Sequence, residues 1–300
     1  MTGERPDRAP PGGATGRSRR APRIDAHHHL WDVDSGAYDW PTPDHGPIYR
    51  TFAPTDLAPL LAGGAIDGTV LVQTVNTIAD TDSMLAVAAA EPWVRGVVGW
   101  VPLDDPVATA RALDARDAPA LCGVRHLIHR DPDPDWLLRP VVMAGLREVA
   151  RRGLTFDVVA VFPDHLRHTP AIADALPDLT LVIDHLAKPP YRVPGWQAWC
   201  DQISAAARRP NVVAKVSGLT TAAGPGWTGE ELWPALEVAL EAFGADRLLF
   251  GSDWPVCLLA SSYAAHLEAL ERLIGGLAAD EREAIMGGTA TRAYRLADRE

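Results

Sequence analysis

The chain has 300 residues, with 39 acidic against 28 basic side chains and a formal net charge of −11, which argues against nucleic acid or an anionic membrane as a principal partner. Apolar residues make up 47%, enough for a core, yet no run approaches membrane-spanning length and no apolar signal segment stands at the start. The expectation is a cytoplasmic protein acting on a small molecule, with no nucleic-acid or membrane partner; the sequence leaves open whether it forms a homo-oligomer.

Residues 1–22 are rich in Pro, Gly and Arg, with Arg5, Arg8, Arg17, Arg19 and Arg20 set against Glu4 and Asp7. Such composition predicts a disordered tail ahead of one domain over residues 23–300. The first predicted strand is Arg23 to Asp32, containing His27, His28 and His29. Strand alternation puts His27 and His29 on one face with Asp25, one pleat back, so two imidazoles converge as half of a metal site. A long loop rich in aromatic residues and proline follows, from Tyr38 to Tyr49, and loops of that length are usually functional or mobile.

A short helix, capped by Thr55 or Asp56 and stopped at Gly63-Gly64, comes next, and the pattern then repeats. Strands are predicted at 68–73, 96–101, 121–126, 154–161, 179–185, 211–217 and 247–253. The helices between them are predicted at 83–90, 107–116, 138–149, around Ile172 and Leu176, at 196–207 and through Leu232, Leu236, Ala239 and Phe243. Further helices start from Ser262 and Asp280. Eight strand–helix units with near-continuous apolar strands predict a (β/α)8 TIM barrel. A doubly wound sheet would more often carry a Gly-rich phosphate turn after the first strand, and none is present. Cys122, Cys200 and Cys257 are widely spaced and read as reduced thiols.

In this fold the chemistry sits at the C-terminal strand ends. Those ends carry His27 and His29, Gln73, Trp100, Arg125 with His126, Asp157, His185, Lys215 with Ser217, and Asp253 with Trp254. Leaving so many polar groups buried and unpaired would cost several kcal/mol each, so together they mark a site. Taken singly, His185 is equally readable as a hydrogen-bonded core histidine, and Asp253 as a turn residue before Trp254-Pro255.

The motifs Ile24-Asp-x-His-x-His-x-Trp31, Asp184-His-Leu-Ala-Lys-Pro189, Lys215-Val-Ser-Gly-Leu219 and Phe250-Gly-Ser-Asp-Trp-Pro255 resemble the amidohydrolase superfamily. More narrowly, they resemble the amidohydrolase family 2 branch of sugar-lactone and pyrone-dicarboxylate lactonases. The resemblance covers residues 24–296. It implies a metal-ligand set of His27, His29, His185 and Asp253, at most one divalent metal with zinc favoured, and otherwise a metal-free site in which the histidines polarise the carbonyl. Strand 4 ends in Arg125-His126 and strand 5 has no histidine, both departures from binuclear members.

The expected chemistry is opening of a lactone ester by water, with Asp253 as base and His185 beside it. Arg125 is the candidate for binding a substrate carboxylate or hydroxyl, against the alternative of bridging strands through a carboxylate such as Asp157. Gln73 and Lys188 join it as candidate substrate contacts. Trp31, Trp100 and Trp254 are candidate stacking platforms for a sugar ring, against the alternative of core packing. A decarboxylase of the same family and a silent ligand-binding barrel are the competing functions.

Overall fold

The computed structural model describes residues 20–297. Eight strands pair in parallel and in sequence order. They are β1 Ile24–His28, β2 Gly68–Val72, β3 Val94–Gly99, β4 Leu121–His126, β5 Thr155–Val158, β6 Leu181–Ile183, β7 Val212–Val216 and β8 Leu248–Phe250. Beyond the last ladder, Asp253 N–H donates to His27 O at 2.8 Å and His29 N–H to Trp254 O at 2.7 Å. These bonds join β1 to the chain leaving β8 and close the wall, as the eightfold alternation predicted. The helices are α1 Pro54–Gly63, α2 Ile78–Ala90, α3 Pro106–Asp114, α4 Pro140–Arg151, α5 Thr169–Ala175, α6 Trp196–Ala207, α7 Leu219–Ala223, α8 Gly229–Phe243, α9 Tyr263–Leu273, α10 Ala279–Glu283 and α11 Thr289–Ala293. None among the described residues is long and apolar enough to cross a membrane.

Two apolar layers hold the barrel. Ile24, Ala26, Val70, Val72, Val98, Val182, Val213 and Leu249 form the inner cluster. Alternate residues of the same strands, such as Leu71, Val97, Leu181, Val212 and Leu248, face the helices in a larger one. The helices earn their places by periodicity: α4 buries Val142, Leu146 and Val149 on one stripe.

The facing of β1 differs from simple alternation. Ile24 pairs with Gly68 and Asp25 with Thr69, but His28 then pairs with Leu71, so β1 holds one residue more than β2 over that stretch. The extra residue reverses the parity. Ile24 and Ala26 therefore point inward, and His27 and His29 also reach the inside. Asp25, expected beside them, turns away to accept from Ser252 N–H at 2.8 Å and Tyr263 OH at 3.1 Å.

Boundaries moved elsewhere too. Helix α2 starts before the predicted Ser83, because Thr77 caps it by accepting from Asp80 N–H. Strands β6 and β8 end at Ile183 and Phe250, short of His185 and Asp253. The short helix α7 was not foreseen. All three cysteines are free, Cys122 and Cys257 buried and Cys200 half-buried. Residues 1–19 of the expected tail lie outside the described residues; Arg20 pairs with Asp67 at 2.8 Å.

Candidate active site

The β1 bulge delivers two imidazoles to the C-terminal end of the barrel. Gly251 leaves room for His27, since a Cβ there would stand 2.8 Å from the Cβ of His27. His29 Nδ1 lies 2.8 Å from Val72 O. A carbonyl only accepts, so Nδ1 carries a proton, and Nε2 is the nitrogen turned towards the site. His27 Nε2 is 3.1 Å from His29 Nε2, and His27 Nδ1 is 3.0 Å from Lys215 Nζ.

His185 arrives by a less common route. His185, Leu186, Ala187 and Lys188 have φ of 54°, 48°, 59° and 56°, a left-handed run of residues that all carry a Cβ. Such a run costs about 1–2 kcal/mol per residue, so the surroundings must hold it. Leu186 is fully buried and its carbonyl accepts from Trp199 Nε1 at 2.8 Å. Lys188 N–H donates to His185 O at 2.9 Å. Gly218, itself at φ 61°, lets the ring of His185 lie against its Cα, where a Cβ would come within 2.9 Å of Nδ1. His185 Nδ1 meets Ser217 Oγ at 2.8 Å, which leaves Nε2 aimed at the site.

Asp253, also left-handed at φ 55°, completes the cluster. Its Oδ1 lies 3.6, 3.8 and 3.9 Å from the Nε2 atoms of His29, His27 and His185. Burial pushes the His185 imidazole down to about 4 despite the nearby carboxylates. Burial, with Lys215 adding to it, holds His27 well below its usual range. Burial acts to raise Asp253, but the imidazoles, His185 foremost, bring it below the ordinary carboxylate value, so it is ionised. His27, His29 and Asp253 group as one donor set that could hold a small divalent cation, and His27, Asp184 and His185 as a second beside it. Two nitrogens on one tetrahedral zinc ion would stand about 3.3 Å apart, against 3.1 Å for His27 and His29. The outer partners that orient such ligands, Val72 O and Ser217 Oγ, are in place.

Beneath the cluster lies a buried charge network. Lys215 Nζ contacts Asp157 Oδ2 at 2.6 Å and Asp184 Oδ1 at 3.1 Å. Arg125 Nη1 meets Asp184 Oδ2 at 3.0 Å, and its Nη2 donates to Gln73 O. Tyr294 OH donates to Asp157 Oδ2 at 2.7 Å. Burial would raise Asp184, but Lys215, His27 and Arg125 hold it well below the usual carboxylate value.

A cavity of about 470 Å³ opens above the cluster. Of the residues singled out from sequence, His29, Arg125, His185, Lys188 and Asp253 line it, and His27 lies fully buried below. Arg125 also bridges strands, through Asp184 and not Asp157. The other candidate contacts do not line the cavity. Trp31 donates to Arg50 O and packs on Trp40 and Phe52. Trp254 lies edge-on to Phe52, and Trp100 donates to His126 Nδ1 at 3.0 Å. Gln73 is fully buried and donates to Asn76 Oδ1. Indoles at these strand ends have more apolar surface to gain behind the wall than over a wet cavity.

Sequence reasoning missed Trp40, Asn76 and His129 as lining residues, and the Asp184–Lys215 contact. The long aromatic loop was a signal for Trp40, and the Asp-His-Leu-Ala-Lys motif for Asp184. Nothing local marked Asn76.

The amidohydrolase family model matches residues 24–296. L-fucono-1,5-lactonase of Burkholderia ambifaria is 39% identical over 281 residues, covering 91% of this chain and 96% of its own. The L-fucono-1,5-lactonase of Burkholderia multivorans is 34% identical, over 91% of this chain and 96% of its own. A crystal structure of an amidohydrolase from Burkholderia multivorans with bound zinc aligns at a TM-score of 0.87 and 33% identity. That alignment covers 92% of this chain and all of the other.

Proposed function

The chain belongs to the amidohydrolase family, and we infer that it hydrolyses the ring ester of a small neutral sugar-acid lactone of the fucono- or rhamnonolactone class. The observation that carries this reading is the convergence of three imidazole Nε2 atoms and the Asp253 carboxylate on the floor of one cavity. The two L-fucono-1,5-lactonases matched over nearly the whole chain support the same substrate class. A dianionic pyrone suits the cavity less well. Arg125 is engaged with Asp184 and Gln73 O, while Asp39 and Asp253 also face the space that Lys188 overlooks. Decarboxylation lacks the strand-5 histidine in Thr155–Val158.

Held by His27, His29, His185 and Asp253, a divalent cation, zinc by donor preference, would supply Lewis acidity at the ester carbonyl. The chain's own groups do the rest. Asp253, ionised and buried, accepts one proton from the attacking water as its oxygen bonds to the carbonyl carbon. It returns that proton to the ring oxygen as the ester C–O bond breaks, leaving a hydroxy acid. Asp184 Oδ1, 3.3 Å from His27 Nδ1, and Ser217 Oγ hold His27 and His185 in register throughout. Three free thiols suit a reducing compartment, which supports a cytoplasmic reading.

The test is proton release by the purified protein on a panel of sugar-acid and aromatic lactones, with metal analysis of the same sample. Hydrolysis of a sugar lactone, abolished in a folded Asp253→Asn variant, is expected. Turnover that survives in the variant would remove Asp253 as base; a panel with no hydrolysis at all would remove the lactonase reading.

A further inference from the structure

Asn76 lies between β2 and α2 and lines the cavity. Its side-chain oxygen receives two hydrogen bonds, from Leu127 N–H at 2.9 Å and from Gln73 Nε2 at 3.0 Å. A backbone N–H can only donate, so the atom it meets is the oxygen, and the orientation of the amide is fixed. With both lone pairs of Oδ1 engaged, what remains is Nδ2, with two donor hydrogens and no partner among the described residues.

The support for this donor is built in. Gln73 is fully buried. Its Nε2 also reaches Arg125 O at 3.3 Å, and its own carbonyl accepts from Arg125 Nη2. Turning the Gln73 amide over would set its oxygen against two acceptors, Asn76 Oδ1 and Arg125 O, so the assignment stands. The arrangement leaves Gln73 Oε1 buried without a partner among the described residues, a cost of the kind folds accept where a polar group has to be aimed.

We propose that Asn76 is a substrate-binding residue that donates from Nδ2 to a hydroxyl oxygen of the bound lactone, and that Gln73 is its positioning residue. This rests on the lactonase reading of the cavity. A neutral amide donor recognises a neutral acceptor, and a site built to bond a hydroxyl rejects the analogue that lacks it, because the donor is then left unmatched.

The experiment measures kcat/KM for the parent lactone and its monodeoxy analogues with wild type, Asn76→Asp and Gln73→Met. Asn76→Asp keeps an oxygen for Leu127 and Gln73 but loses both donors. In wild type, one analogue should fall about tenfold or more below the parent. In Asn76→Asp the parent should fall to the level of that analogue, and in Gln73→Met the same discrimination should shrink. Wild-type turnover with Asn76→Asp within twofold for the parent would overturn the proposal, as would an equal loss on parent and every analogue. A wild type that opens no lactone would instead overturn the underlying reading, and the proposal with it.

Discussion

What a histidine does here depends on what its second nitrogen touches. His29 donates from Nδ1 to Val72 O, which turns Nε2 to the cavity floor. His126, at the end of β4, accepts from Trp100 at Nδ1 and stacks on Trp136 at 4.1 Å. Burial takes its pKa from the usual 6.5 to about 4. Between those values the unfolded chain binds a proton that the folded chain refuses, so stability should fall as the pH drops from 6.5 towards 4. His126→Asn should flatten that part of the stability profile, read as urea midpoints across the window. Gly218 offers a second residue-scale test. Alanine there would need a left-handed φ and would press on His185 Nδ1. Gly218→Ala should lower kcat by about tenfold or more, since ångström-scale misplacement of a reacting group is costly, while circular dichroism stays native.

At the scale of elements, the ends of β6 and β8 decide the site. A sequence reader extends both strands to His185 and Asp253, because the apolar pattern has no visible stop before them. The chain instead leaves extended geometry at Asp184 and runs left-handed to Lys188, something hydrophobic periodicity does not encode. Ala187 is buried within that run, where a buried Ala→Gly exchange would ordinarily be destabilising. Relief of its left-handed backbone should offset this, so Ala187→Gly should be neutral or stabilising by up to about 1 kcal/mol. A clearly lower denaturation midpoint would show that the run is not strained. The β1 bulge belongs to the same scale: His27 and His29 were legible as a pair, but the facing of Asp25 was not, since one extra residue reverses parity without altering composition.

For the whole molecule, the network of Lys215, Asp157, Asp184 and Arg125 joins β7, β5, the turn after β6 and β4 through the barrel interior. Removing one partner of a buried ion pair leaves charge without compensation, typically at about 3–5 kcal/mol. Lys215→Met should lose stability on that scale in chemical denaturation. Asp157→Asn added to it should recover part of the loss, a coupling that independent sites would not show. Ligand linkage acts on the whole fold as well. Zinc supplied to metal-stripped protein at a hundredfold its dissociation constant should add about 2.7 kcal/mol, seen as a higher melting temperature that His29→Ala abolishes.

By itself the sequence determined the eightfold alternation, hence the barrel, and the motifs holding His27, His29, His185 and Asp253, hence the chemical class. These are properties of short stretches, where apolar periodicity and residue type act locally. Only the tertiary structure decided that Asp25 turns outward, that Trp31, Trp100 and Trp254 pack away from the cavity, and that Gln73 donates to Asn76. It also decided that Arg125 answers Asp184, a partner 59 positions away. Those outcomes depend on register, on left-handed backbone and on contacts between distant strands. Each of these is set by the closing of the barrel, and no local pattern records it.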